Sequence, residues 1–132
     1  MLNKRHLKQQ AMDFDKIAEK IFKIDPTVRF ISVVDRDDKV LLARMREGIS
    51  AVNVGQRDED LASIYPPLIM RAVERLQPNL GQAKAVGIRY DKILLTLCRV
   101  SDLLNVVSFN PAMETPFVTQ FEREIKRIIQ AT

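Results

Sequence analysis

The chain has 132 residues, 46% hydrophobic and 29% charged, which suits one globular domain over 1–132 and excludes a disordered or membrane-embedded polypeptide. Its apolar runs fall far short of the roughly 20 residues that span a bilayer, and the leader over residues 1–10 is basic without a secretory apolar run, so a cytoplasmic protein with a frayed N-terminus is expected. A net charge of +4 and a pI near 9.4 favour acidic partners only weakly and do not demand nucleic acid.

Phe14, Ile17, Ala18, Ile21 and Phe22 recur at helical spacing among charged residues, with Leu7 and Ala11 extending the stripe backwards, so a first helix is predicted over about residues 5–24. Pro26 ends it. Arg29 to Val34 and Val40 to Met45 read as two strands joined by the polar turn Asp35-Arg36-Asp37-Asp38, which is expected to be solvated.

Asp58, Glu59 and Asp60 mark the start of a second helix whose apolar residues Leu61, Ile64, Tyr65, Leu68, Ile69, Ala72, Val73 and Leu76 cover about half of a helical wheel. Such an arc can bury two faces, or simply serve a deeper monomer core. Pro66-Pro67 is expected to kink or divide this helix, and Gln77-Pro78-Asn79-Leu80-Gly81 to close it.

Three strands follow, Ala83 to Tyr90, Ile93 to Val100 and Leu103 to Phe109, with tight turns between them. A last helix takes in Phe117, Val118, Phe121, Ile125, Ile128 and Ile129, with Glu122 and Lys126 as an outer pair. Phe30 to Val34, Ile93 to Cys98 and Leu103 to Phe109 are almost continuously apolar and should be central strands of a sheet covered on both faces. Arg44, Arg46, Lys84 and Arg89 put charge on the other two strands, as edge strands require.

Catalytic and metal-binding chemistry finds little footing. The only histidine, His6, lies in the leader, and the only cysteine, Cys98, sits in an apolar run where a buried small hydrophobe is expected. Four scattered glycines form neither a phosphate loop nor a dinucleotide fingerprint. Asp35-Arg36-Asp37-Asp38 departs from the calcium-loop pattern at Lys39 and Val40, and Asp58-Glu59-Asp60 reads as helix-start carboxylates. No catalytic residue, metal or cofactor is therefore expected. Two small basic groups, Lys4-Arg5-Lys8 and Arg71 with Arg75, could meet phosphates or an acidic protein, or be plain solvated faces.

The element order α-β-β-α-β-β-β-α resembles the roadblock (dynein light-chain) domain, a relative of profilin-like α+β folds, over essentially the whole chain. Ile24-Asp25-Pro26-Thr27-Val28-Arg29-Phe30, Arg46-Glu47-Gly48 and Leu80-Gly81 resemble small roadblock-like proteins of ammonia-oxidising archaea, which usually carry glycine where this chain has Asp37-Asp38 and lack Pro66-Pro67. The resemblance implies a five-stranded antiparallel sheet of order 2-1-5-4-3, with the second helix on one face and the first and last on the other.

It further implies a non-enzymatic adaptor or scaffold that pairs with itself or with another roadblock-like chain, on a platform that binds other proteins, small GTPases among them. By position, the dimer surface would comprise Leu68, Ile69, Ala72, Val73 and Leu76 with Val86 and Ile88, and Arg71 and Arg75 would face a partner. The alternatives are a profilin-like sensor with a small-ligand cavity and, below it, weak nucleic-acid binding.

Overall fold

In the computed structural model, residues 12–48, 64–91, 93–109 and 115–131 are described. The elements are α1 (Phe14–Ile24), β1 (Val28–Val34), β2 (Val40–Met45), α2 (Tyr65–Glu74), the single turn α3 (Gln77–Leu80), β3 (Ala85–Arg89), β4 (Leu94–Val100), β5 (Leu103–Phe109) and α4 (Thr115–Ala131). The five strands make one antiparallel sheet in the order β2-β1-β5-β4-β3. The almost continuously apolar runs are thus its three inner strands, and the charge-bearing runs its edges.

The two-residue period of a strand sorts this sheet into two cores. Ile31, Val33, Leu94, Cys98, Leu103, Val107 and Phe109 point to the side covered by α1 and α4, where they meet Ile17, Ile21, Phe121, Ile125 and Ile129. Phe30, Val34, Leu97, Leu104 and Val106 point to the other side and meet Met70 of α2. All seven residues of β5 are buried, because it is central in the sheet and covered above and below.

Helix α1 begins later than its periodicity suggests. The Asp13 carboxylate accepts from the Lys16 N–H at 3.1 Å and Asp13 itself is extended, so the first turn is capped at residue 13, while residues 1–11 lie outside the described segments. At its far end Asp25 is extended, as a residue before proline prefers. The Asp25 carboxylate accepts from both the N–H and the hydroxyl of Thr27, at 2.8 and 2.5 Å.

Arg46 completes this corner. Its Nε donates to Val28 O at 2.7 Å and its Nη2 to Phe22 O and Asp25 O at 2.6 and 2.8 Å, with the guanidinium 5.1 Å from the Phe22 ring centre. The expectation that Arg46 guards a sheet edge is corrected: it turns inward and satisfies carbonyls left over at the end of α1. Arg44, by contrast, makes a long 3.5 Å contact to Asp15 O.

The double proline does not kink a described helix. Helix α2 begins at Tyr65, so Pro66 and Pro67 occupy its first turn, where backbone N–H groups have no intrahelical acceptor and a missing donor costs nothing. The helix start expected at Asp58-Glu59-Asp60 falls outside the described residues. On α4 the expected Glu122–Lys126 pair is replaced by Arg127–Glu124 at 2.6 Å, and Glu122 is half-buried, its carboxyl raised by that burial.

Candidate functional site

The wide apolar arc of α2 divides in two. Pro66, Pro67 and Met70 are buried, with Ile69 packed beside them on the sheet. Ile64, Tyr65, Leu68, Ala72 and Leu76 face outward, with Leu68 57% and Leu76 54% exposed, so the arc is not spent on a deeper monomer core. Leu80, on α3, continues this outer surface at 77% exposure. Exposed apolar side chains clustered along one element mark an interaction surface, whereas scattered ones need no explanation.

Strand β3 borders this surface. Val86 and Ile88 are register partners of Leu97 and Leu95, which face the α2 side, so both lie on that side, half-buried, next to a strand edge with no neighbour in the sheet among the described residues. The structure therefore brings Leu68 and Ala72 to the outer face of α2 with Leu76 just past its end, sets Ile69 and Val73 at its half-buried flank, and places Val86 and Ile88 on the neighbouring strand. Sequence reasoning left Ile64, Tyr65 and Leu80 out of the surface. Their spacing of three and four residues from Leu68 and Leu76 was the available signal.

Ion pairs fix α2 against the rest of the molecule. Arg99, on the α2 side of β4, holds Glu74 through Nη2 at 3.0 Å and Nε at 3.4 Å, with only 8% and 15% of the two side chains exposed. Arg71 pairs with Asp38, which raises its guanidinium above the usual value. Arg71 is therefore already engaged, while Arg75 is exposed and forms no ion pair among the described residues.

The hairpin turn that supplies Asp38 is more than solvated. The Asp35 carboxylate accepts from the Asp37 and Lys39 N–H groups at 2.9 Å each, Asp38 takes a left-handed conformation at φ 63°, and Arg36 reaches Asp102 at 2.9 Å. Between this turn and α2 lies a small depression lined by Asp35, Arg36, Asp38, Pro67, Arg71, Arg99 and Leu104. Its arginines are all matched to carboxylates and its walls are mostly charged, unlike the mainly apolar pockets that hold small ligands.

Cys98 is buried under α4, its thiol pushed up to about 11 chiefly by that burial, and among the described residues no three His, Cys, Asp or Glu side chains are grouped to hold a metal. Nor is any described helix long and apolar enough to cross a membrane. His6, Lys4, Arg5 and Lys8 lie outside the described residues.

No family model matches the chain, and no curated protein matches it by sequence. Solved structures do match. A roadblock/LC7 domain from Streptomyces avermitilis superposes with a TM-score of 0.69 at 12% identity, covering 91% of this chain and 94% of its own. The chain has the roadblock fold.

Gliding protein MglB from Thermus thermophilus aligns over 100% of this chain and 96% of its own, with a TM-score of 0.66 at 12% identity. An MglB described with a tetrameric arrangement aligns over 99% and 94%, at 0.67 and 14%. Such identities establish the roadblock architecture and no more. Within it, α2 is the helix among the described residues that packs on the second sheet face, and β3 the edge strand beside it.

Proposed function

We propose that this chain is a non-enzymatic adaptor that pairs through α2 and β3 and presents the paired surface to another protein. The observation that carries this reading is the outward row along and just past α2, with Leu68 and Leu76 more than half exposed beside a β3 edge that pairs with no further strand among the described residues. Buried apolar area drives association at about 25 cal/mol per Å² before the cost of lost freedom is met, and neither leucine adds to the core it rides above. The roadblock resemblance supplies the class of client: a small GTPase is the partner to test first, with a cytoplasmic setting.

Solution mass by light scattering tests the pairing. The parent is expected at twice the chain mass, and Leu68→Asp, which sets a charge on an exposed position of the same face, is expected to be a folded monomer with unchanged circular dichroism. A parent that is monomeric at tens of micromolar would overturn the reading.

A further inference from the structure

We infer that the β1–β2 turn is a salt-sensitive latch on α2: the Asp38–Arg71 ion pair seats the helix on the sheet, and screening or removing it frees the stretch of α2 that carries Tyr65 and Leu68. The latch governs how α2 is seated, whether or not the outer face of the helix pairs.

Helix α2 has few other holds. Its ten residues are fewer than the roughly 12–15 that an isolated helix needs in water. Its N-cap residue Ile64 makes no side-chain cap hydrogen bond, and no acidic residue stands in its first turn to meet the helix dipole. Apart from Pro66 and Pro67, Met70 is its only buried side chain. The core it covers, Met70 with Phe30, Val34, Leu97, Leu104 and Val106, is the smaller of the two. Segments with few buried apolar contacts open locally at lower cost than the rest of a fold.

The two ion pairs that tie α2 down differ in kind. Glu74 and Arg99 are mostly buried, so mobile ions hardly reach the two hydrogen bonds between them. Arg71 and Asp38 are 49% and 39% exposed. Salt screens such a pair, the Debye length shrinking from about 10 Å at 0.1 M to about 3 Å at 1 M. The Glu74 pair is therefore the fixed pin, at the C-terminal end of α2, and the Arg71 pair is the part that lets go.

The turn is built to present Asp38. The Asp38 N–H donates to Asp35 O at 3.1 Å, and the left-handed backbone at Asp38 fixes its direction. The other carboxylates beside Arg71 are already engaged: Asp35 accepts from the Asp37 and Lys39 N–H groups, and Glu74 is held by Arg99.

Leu68 and Tyr65 precede Arg71 by three and six residues, on the side of α2 away from the pin. Asp38, which is no part of the outer face, thus sets whether that face is held in place.

The experiment is hydrogen exchange of the full chain, read by mass spectrometry in sodium chloride at about 0.1 M and about 1 M. Parent and Asp38→Asn are compared, since asparagine removes the charge and still tolerates the left-handed region. The same pair is measured in a Leu68→Asp background, which separates protection by a partner from protection by the latch. Peptides from β5 report global opening. The expected result is α2 exchange about two- to five-fold faster in Asp38→Asn at low salt, with β5 unchanged and parent and variant converging at high salt. An α2 indifferent to both the substitution and salt overturns the latch, and so does an α2 that speeds up only in step with β5.

Discussion

Replacing Arg46 tests whether one side chain holds the α1–β1 corner. It donates three short hydrogen bonds, to Phe22, Asp25 and Val28 carbonyls, and lies over the Phe22 ring. Counting about 1 kcal/mol net for each bond and about 0.5–1 kcal/mol for the ring contact, Arg46→Ala should cost about 3–4 kcal/mol. With an unfolding entropy of about 2.1 cal/mol/K per residue over 132 residues, the melting temperature should fall by roughly 10–14 °C. Arg46→Lys keeps the charge but offers a point cation in place of a planar fork, so it should recover less than half.

Thermal and urea unfolding, with Arg44→Ala as a comparison that changes stability by less than about 0.5 kcal/mol, as surface substitutions usually do, provide the assay. A fully rescued lysine variant, or an alanine variant that aggregates at undiminished stability, would show that Arg46 merely places a charge on the sheet edge, and the corner argument would be wrong.

The Arg99–Glu74 pair, nearly withdrawn from water, predicts a second pattern: Glu74→Met or Arg99→Met alone costs about 3 kcal/mol by stranding the other charge, while the double variant costs less than either, as a urea double-mutant cycle would reveal. At Asp38, glycine and alanine both delete the partner of Arg71, so the stability difference between Asp38→Gly and Asp38→Ala isolates the left-handed backbone and should favour glycine by about 1 kcal/mol. Burial moves the Cys98 thiol from its usual 9.0 up to about 11. The fold therefore favours the protonated thiol, so this contribution is whole below pH 9 and fades as pH rises to about 11. Urea titrations of the parent and Cys98→Ala should accordingly converge over that interval.

Much of the architecture was readable because burial on both faces leaves a direct mark on strand composition. Phe30 to Val34 and Leu103 to Phe109 have no solvent side to spend polar residues on, and they are inner strands. Helix α2 was harder. Met70, its one fully buried non-proline side chain, escaped notice because a single methionine among branched apolar residues carries no sign of which way it points. The outward stripe could stand for a pairing surface or a deeper core for the same reason, since periodicity counts apolar residues without telling a face that meets the sheet from one that meets solvent.

Pro66-Pro67 misled differently. Proline breaks a helix or begins one according to where the helix starts, and local propensity does not fix that start. The roles of Arg46, Arg36 and Arg99 were invisible because their partners are remote in sequence, Arg36 and Asp102 above all. An arginine drawn as surface charge and one that clasps a corner are the same letter.

The pairing of β1 with β5 carries a kinetic consequence. The β1–β2 hairpin and the β3–β4–β5 meander each join neighbours in sequence and can form early, but Ser32 meets Val106 only after more than half of the chain has been looped round. Closing that loop is the slow encounter of folding, since its entropy is lost before any contact repays it. Until it happens, the apolar flanks of β1 and β5 are bare, and a hairpin from one nascent chain can occupy the place reserved for its counterpart in another.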